Sequence, residues 1–183
     1  MKAVFLDRDG VINEDVHHLH KIKDLKLIEK APEAIKLLKD KGFKILVVTN
    51  QSVIARGIAT KDQVTAINNE LNNRVKEKVN VGIDAFLICP HHPEGTVKRY
   101  TRACICRKPE PGLIVDAGKR FGINLKESYM IGDKESDIEA GKRAGCTTLG
   151  VETGYGCKDC KKTHPIHITK DLYEAAQLII KGN

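Results

Sequence analysis

The stretch AVFLDRDG, residues 3–10, joins a continuous apolar run to two aspartates and a glycine. Such a run is typical of a buried parallel strand whose two faces are both covered by helices. Asp7 and Asp9 leave this strand together, and their like charges repel unless a cation lies between them. Hard carboxylate oxygens suit Mg²⁺, although Asp and Gly are also common in solvated turns at strand ends.

Four further apolar runs, at 44–50, 85–89, 128–133 and 147–151, alternate with helical patterns along the chain. This alternation predicts an α/β fold, with a Rossmann-like parallel sheet flanked by helices and one domain spanning residues 1–183. Helix boundaries follow from caps and breakers. The paired start and stop signals are Pro32 and Gly42, Thr60 with Gln63, Pro111 and Gly122, Ser136 with Glu139 before Gly145, and Asp171 with Glu174.

Polar side chains stand where several of these predicted strands end. In parallel sheets, ligands bind beyond the carboxyl ends of the strands. Thr49 lies near the end of the run KILVVTN, and Asp133 follows SYMIG, where it can supply a third carboxylate to the cation at Asp7 and Asp9. Lys108 precedes a helix and can neutralise phosphate charge. Asp137 is interpreted more simply, as a residue that favours a helix N-terminus.

Composition limits the classes of protein. The 183 residues carry a formal net charge of +7, which suits an anionic partner such as nucleic acid or a small phosphorylated compound. Aromatic residues make up only 4% and Trp is absent, which disfavours base stacking. No apolar run approaches the roughly 18–20 residues of a membrane span, and no signal peptide is evident. We expect a cytoplasmic monomer that binds neither membrane nor nucleic acid, with a zinc-containing nucleic-acid binding module as the alternative class.

Cysteine and histidine cluster between residues 89 and 106. The pairs Cys89-x-His91 and Cys104-x-Cys106 offer three thiolates and one imidazole, a ligand mix typical of structural zinc. Buried free cysteines are the alternative, and His92 competes with its neighbour as the imidazole ligand. A second group could bind another metal or form a solvated basic loop; its residues are Cys157, Cys160, His164 and His167. In a reducing compartment we expect thiols and not disulfides.

The ordered strand-end residues resemble the four motifs of the haloacid dehalogenase superfamily of phosphatases. This resemblance implies that Asp7 is the nucleophile, which forms an aspartyl-phosphate, and that Asp9 is the general acid and base. Mg²⁺ would be bound by Asp7, the backbone carbonyl of Asp9, and Asp133, while Thr49 and Lys108 would hold the phosphoryl oxygens. The short intervals between Asp7, Thr49 and Lys108 leave no room for a cap domain.

A narrower resemblance lies in DRDGVIN, TNQSVIARG, CPHHPEG, CICRKPEPG and IGDK, which are similar to the D-glycero-D-manno-heptose 1,7-bisphosphate 7-phosphatases. It implies removal of the 7-phosphate and a structural Zn²⁺ on the loop at 89–106, with all four positions taken by protein. Arg107 would join the catalytic residues. Histidinol-phosphate phosphatases, with a shorter zinc loop, or a broader sugar-phosphate phosphatase are the alternatives. The resemblance assigns substrate binding to Asp15, His18, Thr49, Asn50, Gln51, Ser52, Arg107, Lys108 and Lys134.

Two segments depart from the family pattern. Val53 stands where the family usually has Gly, and His17, His18 and His20 replace the more usual Gly–aromatic pair. These differences either alter sugar or anomer specificity or belong to a variable loop.

Overall fold

One sheet of parallel strands organises the protein. The structure is a computed structural model that describes residues 1–160 and 163–182. Within these residues the strands are β1 (Ala3–Leu6), β2 (Lys44–Asn50), β3 (Ala85–Cys89), β4 (Tyr129–Gly132), β5 (Thr147–Val151) and β6 (His167–Thr169). All pairings are parallel, and the strand order is β3-β2-β1-β4-β5-β6. The predicted parallel α/β sheet is therefore confirmed.

Helices lie in each connection from β1 to β5, and one more follows β6. They are α1 (Ala31–Asp40), α2 (Ser52–Ala55), α3 (Lys61–Val79), α4 (Gly112–Phe121), α5 (Glu135–Ala144) and α6 (Leu172–Lys181). The predicted capping box at α3 is confirmed, because Thr60 Oγ1 accepts from the Gln63 backbone and Gln63 Oε1 accepts from the Thr60 backbone. The predicted box of Ser136 and Glu139 is wrong. Helix α5 begins earlier, and the backbone N–H of Lys134 donates to the Asp137 carboxylate.

Alternate residues of each strand point to opposite faces of the sheet, and each face has its own core. Val4 and Leu6 of β1 pack with α1, α3 and α6 on one face. Ala3 and Phe5 pack with α4 and α5 on the other. Burial of both faces explains why β1, β2 and β4 read as continuous apolar runs instead of alternating ones.

The first two connections between strands are built from helices and loops. The β1–β2 connection contains a 3₁₀ turn (Ile22–Asp24) and α1, and the β2–β3 connection contains α2 and α3. No cap domain is inserted in residues 7–111, as the spacing predicts. Strand β6 was not predicted, because it has only three residues and two of them are exposed.

None of the helices within the described residues is long and apolar enough to cross a membrane.

Candidate active site

Three neighbouring strands bring the strand-end residues together. Asp7 follows β1, Thr49 lies near the end of β2, and Asp133 follows β4. Strands β2, β1 and β4 are adjacent and parallel, so their carboxyl ends meet at one edge of the sheet. The backbone N–H of Asp7 donates to Ile131 O of β4 at 3.0 Å, which ties the end of β1 to its neighbour. The residues that the sequence assigns to one site are thus neighbours in space.

Lys108 is the cation at the centre of this edge. Its ammonium Nζ lies 2.9 Å from Asp7 Oδ1, 2.7 Å from Asp137 Oδ1 and 2.7 Å from Val48 O, with only 2% of the side chain exposed. Asn50 holds its backbone in place, accepting from the N–H of Lys108 at 3.1 Å and donating to its carbonyl at 3.0 Å. Burial lowers the pKa of Lys108, but the two carboxylates outweigh it, and the pKa is raised. The amine is therefore charged at neutral pH.

Three buried carboxylates surround a position suited to a divalent cation. Oxygens of Asp7, Asp133 and Asp137 lie within 4.8 Å of one another. Burial first, and repulsion between carboxylates second, raise the pKa of Asp133 to about 7; burial also raises that of Asp7 to about 6, against the opposing pull of Lys108. Among residues 1–160 and 163–182, Asp133 Oδ1 is buried without a hydrogen-bond partner, while Oδ2 accepts from the Tyr155 backbone at 2.7 Å. A hard cation such as Mg²⁺ fits this oxygen-rich, strongly anionic position.

Asp137 belongs to this site, which its sequence position did not reveal. One carboxylate oxygen pairs with Lys108, and the other accepts from the backbone N–H of Lys134. The expected role at the helix N-terminus is real, but the same side chain also fixes the buried ammonium. The signal that could have identified it is the G-D-x-x-x-D spacing, which puts a second carboxylate one helical turn after Asp133.

Asp9 is held apart from the other carboxylates. Arg8, which is fully buried, donates to both of its oxygens at 2.8 and 2.9 Å, and Asn13 and Gln51 add hydrogen bonds at 2.9 and 3.0 Å. Burial alone would raise the pKa of Asp9, but the Arg8 charge and these hydrogen bonds lower it overall. Asp9 is thus ionised at neutral pH, and its side chain lies outside the carboxylate trio. Its carbonyl remains the atom assigned to Mg²⁺ by the resemblance.

The side chains that hold Arg8 beside Asp9 were not identified from the sequence. Arg8 also donates to Asn68 Oδ1 at 2.9 Å and to Gln51 Oε1 at 3.1 Å. Gln51 in turn donates to Thr49 Oγ1 at 2.9 Å, which joins the ends of β1 and β2 through side chains. Asn68 could have been noticed, because it is a buried amide on the apolar face of α3.

Two adjoining cavities open at this edge of the sheet. One, of about 400 Å³, is lined by Asp7, Thr49, Arg107 and Lys108. The other, of about 250 Å³, extends to His18 and other residues of the loop after β1. The residues that border both cavities are Asp9, Asn50, Ser52 and Lys134. The remaining predicted binding residues, Asp15 and Gln51, line the smaller cavity.

Tyr155 closes the outer side of the smaller cavity, a role that the sequence did not indicate. Its ring lies 4.1 Å from Lys134 Nζ, and its hydroxyl lies 3.3 Å from His17 Nδ1. Lys134 also pairs with Asp15 at 3.3 Å. His17 and His18 adopt φ values of 50° and 69°, a left-handed backbone that favours glycine.

The four predicted zinc ligands form one compact cluster. Cys106 Sγ lies 3.0 Å from Cys89 Sγ and 3.2 Å from Cys104 Sγ, and His91 Nδ1 lies 3.3 Å from Cys106 Sγ. Burial and the nearby charge of Arg102 lower the pKa of His91, which keeps the imidazole neutral and able to bind a metal. The cluster could hold a tetrahedral metal ion.

His92 does not join this cluster. It lies 3.3 Å from Arg56 Nη2, so His91 is the imidazole of the set. Arg107, which directly follows Cys106, donates to His91 O at 3.1 Å and lines the larger cavity. The loop at 89–106 that carries the four predicted zinc ligands therefore ends directly at the carboxylate site.

The second cysteine pair is not part of a metal cluster within the described residues. Cys157 and Cys160 are buried and joined by a disulfide, contrary to the expectation of reduced thiols. His164 and His167 are exposed, and neither belongs to a possible metal-binding group in the described part of the chain. The basic residues Lys161 and Lys162 of this predicted loop lie outside the described residues.

The capless sheet, its strand-end carboxylates and the buried lysine define a hydrolase of the haloacid dehalogenase-like class. A family model described as "HAD-hyrolase-like" matches residues 105–175. The chain belongs to the D-glycero-D-manno-heptose-1,7-bisphosphate 7-phosphatase family, as its curated relatives establish. It is 40% identical over 182 residues to the α-heptose enzyme of Photorhabdus laumondii, covering 98% of this chain and 97% of that protein. It is also 40% identical to the β-heptose enzyme of Escherichia coli K12, over 83% of this chain and 80% of that protein.

Solved structures agree with this assignment. The D,D-heptose 1,7-bisphosphate phosphatase of B. bronchiseptica, complexed with magnesium and phosphate, superimposes with a TM-score of 0.88 at 28% identity and full coverage of both chains. The corresponding phosphatase of Burkholderia thailandensis gives a TM-score of 0.67 at 26% identity, covering 98% of this chain and 99% of that one. The sheet and its connections are thus those of a phosphatase fold.

Proposed function

We propose that this protein is a Mg²⁺-dependent phosphatase that removes the 7-phosphate of D-glycero-D-manno-heptose 1,7-bisphosphate. The observation that carries the proposal is the buried set of Asp7, Lys108, Asp133 and Asp137 at the carboxyl ends of adjacent strands. Phosphoryl transfer needs a positioned nucleophile and compensation of developing negative charge, and this set supplies both. The identity of the sugar is inferred from the substrate for which the relatives are named.

Asp7 acts as the nucleophile. Its carboxylate attacks the phosphorus, the bond to the sugar oxygen breaks, and an aspartyl-phosphate forms. Lys108 holds Asp7 Oδ1 and keeps its charge beside the reacting oxygens, while Asp137 and Val48 O fix the ammonium. The Asp7 and Asp133 carboxylates and the Asp9 carbonyl would hold Mg²⁺, which would offset charge between the anionic nucleophile and the phosphate.

Asp9 acts as the general acid and the general base. As an ionised carboxylate it suits the second step, in which it removes a proton from the water that attacks the aspartyl-phosphate. In the first step it must carry a proton to the leaving alkoxide. Since Arg8 stabilises the anion, that step requires the carboxyl group to turn away from Arg8 towards the leaving group. Substrate binding, which adds negative charge nearby, favours protonation of Asp9.

The two cavities suit the two parts of the substrate. The phosphoryl group to be transferred occupies the larger cavity, with Thr49 and Lys108 near its oxygens. The sugar extends into the smaller cavity towards His18 and Asp15, with Asn50, Gln51 and Ser52 along its floor and Lys134 between the two. The four residues of the cysteine cluster would hold Zn²⁺ with no open position, so the ion would be structural and would keep Arg107 beside the substrate.

Other functions have less support. Histidinol phosphate or another sugar phosphate could use the same nucleophile, so the choice among them depends on the sugar cavity. A nucleic-acid binding module does not explain three buried carboxylates, which would repel phosphates without a cation. The chain is equally identical in sequence to a relative named for the α anomer and to one named for the β anomer. The preferred anomer must therefore be measured. A monomeric state and a cytoplasmic location stay predictions.

Phosphate release tests the proposal. Purified protein with Mg²⁺ is assayed on both heptose bisphosphate anomers, on histidinol phosphate and on simple hexose phosphates, and kcat/KM values are compared. Asp7→Asn should abolish release from every substrate, while Asp116→Asn, a matched change on the exposed face of α4, should leave it unchanged. Preference for histidinol phosphate would overturn the substrate. Activity of Asp7→Asn would overturn the mechanism.

A further inference from the structure

We propose that Cys157 and Cys160 form a reversible dithiol–disulfide site that controls how tightly the catalytic carboxylates bind Mg²⁺. The segment concerned, residues 153–160, is called the redox loop below. The proposal rests on the proposed function only in assuming that Asp133 helps to bind Mg²⁺. No part of the phosphatase chemistry described above uses these two cysteines.

The fold makes room for this sulfur pair. Cys157 and Cys160 have 2% and 0% of their surface exposed, and their Cα atoms are 4.9 Å apart. Gly150 of β5 lies under the pair, and a Cβ atom there would meet Cys157 Sγ at 2.6 Å. Ile138 of α5 packs on the same two sulfurs. The pair is therefore seated in the core between β5 and α5, unlike an incidental surface pair.

The redox loop is bonded directly to Asp133. The backbone N–H of Cys157 donates to Asp133 O at 2.8 Å, and that of Tyr155 donates to Asp133 Oδ2 at 2.7 Å. Thr153 Oγ1 donates to Gly10 O at 2.6 Å, at the loop that carries Asp9. Groups that hydrogen-bond a metal ligand fix its orientation, and losing them typically lowers metal affinity about 10–100-fold.

Reduction would loosen these contacts. A dithiol reductant attacks one sulfur, the S–S bond breaks, two thiols form on the protein, and the reductant leaves as its own disulfide, a balanced two-electron exchange. The two sulfurs then separate to a non-bonded distance within a pocket shaped for a bonded pair. We expect the redox loop to shift, the Tyr155 N–H to weaken its hold on Asp133, and Tyr155 to move from Lys134. Because the sulfurs are buried, exchange should take minutes to hours.

The experiment compares Mg²⁺ binding by oxidised and reduced protein. Each form is verified by alkylating its thiols and measuring the intact mass, and its zinc content is measured. Mg²⁺ is then titrated while the melting temperature is recorded, a readout that needs no substrate. The reduced form should require about three- to tenfold more Mg²⁺ for the same shift in melting temperature. This factor is smaller than the roughly 10–100-fold effect of losing the hydrogen bonds to a metal ligand, because reduction only weakens them. Activity at limiting Mg²⁺ should fall in parallel and recover at saturating Mg²⁺.

Two variants separate the redox loop from the zinc cysteines. Cys157→Ala/Cys160→Ala should behave as the reduced form under both conditions, and Cys146→Ser, a buried cysteine elsewhere, should respond like wild type. Equal Mg²⁺ responses in verified oxidised and reduced wild type would overturn the proposal. So would a second zinc ion per chain that the double variant loses. Absence of phosphatase activity in both forms, with the Mg²⁺ difference intact, would instead overturn the proposed function alone.

Discussion

Replacing Lys108 with methionine should cost the protein much of its stability in the absence of Mg²⁺. The ammonium is 2% exposed and bonds two buried carboxylates at 2.9 and 2.7 Å. Removing one partner of a buried ion pair typically costs about 3–5 kcal/mol, because the other charge is left uncompensated. For a chain of this size, that corresponds to a fall in melting temperature of roughly 6–20 °C.

The loss should depend on pH. Burial already raises the pKa of Asp7 from 3.8 to about 6, and Lys108 opposes this rise. An acid whose folded-state pKa is raised binds protons more tightly when folded, so stability falls as pH increases between the two pKa values. Without Lys108 the folded-state pKa rises further, and the fall extends to higher pH. The deficit should therefore be small at about pH 4 and largest above about pH 7.

The assay is urea unfolding without Mg²⁺, from about pH 4 to about pH 8. Lys36→Met provides the matched control, since it removes an ion pair of 2.8 Å to Asp40 that is about half exposed. Such exposed helix pairs contribute only about 0.3–0.5 kcal/mol. A Lys108→Met variant that loses less than about 1 kcal/mol at neutral pH, or as little as the control, would refute the argument from burial.

Three further changes have defined outcomes. Asp9→Asn should lower kcat about 10²–10⁴-fold yet keep the Mg²⁺-induced melting shift, since its side chain is outside the carboxylate trio; a lost shift would contradict this. The Mg²⁺-induced shift should grow from about pH 5 to about pH 8, because protons compete for Asp7 and Asp133, with pKa values of about 6 and about 7; a flat profile argues against these sites. Zinc chelation should lower the melting temperature and expose residues 89–106 to trypsin, whereas unchanged digestion would exclude a structural zinc.

Local patterns predicted the parts of the fold that depend on neighbouring residues. The apolar runs gave β1 to β5, because strands buried on both faces must be apolar throughout. Thr60 and Asp171 mark helix starts through hydrogen bonds to residues three positions on. The strand-end carboxylates converge for a topological reason, since parallel strands place their carboxyl ends at one edge. Strand β6 could not be read in this way, because its pairing with β5 and not its composition defines it.

The missed residues act through partners that are distant in sequence. Asp137 has an ordinary place at a helix start, and only the fold brings Lys108 to it. Arg8 reaches Asn68 across the interior between β1 and α3, a contact that no local pattern encodes. Tyr155 meets His17 because two loops converge above the sheet edge. Such contacts depend on three-dimensional packing, so a single sequence does not specify them.

The aspartyl-phosphate mechanism is tested most directly by trapping the covalent intermediate. Protein turning over heptose bisphosphate with a radiolabelled 7-phosphate is quenched in acid, digested and mapped by peptide. If Asp7 is the nucleophile, acid-stable label appears on the peptide that contains Asp7, on no such peptide in Asp7→Asn, and nowhere without Mg²⁺. Label on a different residue, or phosphate release by Asp7→Asn at the wild-type rate, would contradict it.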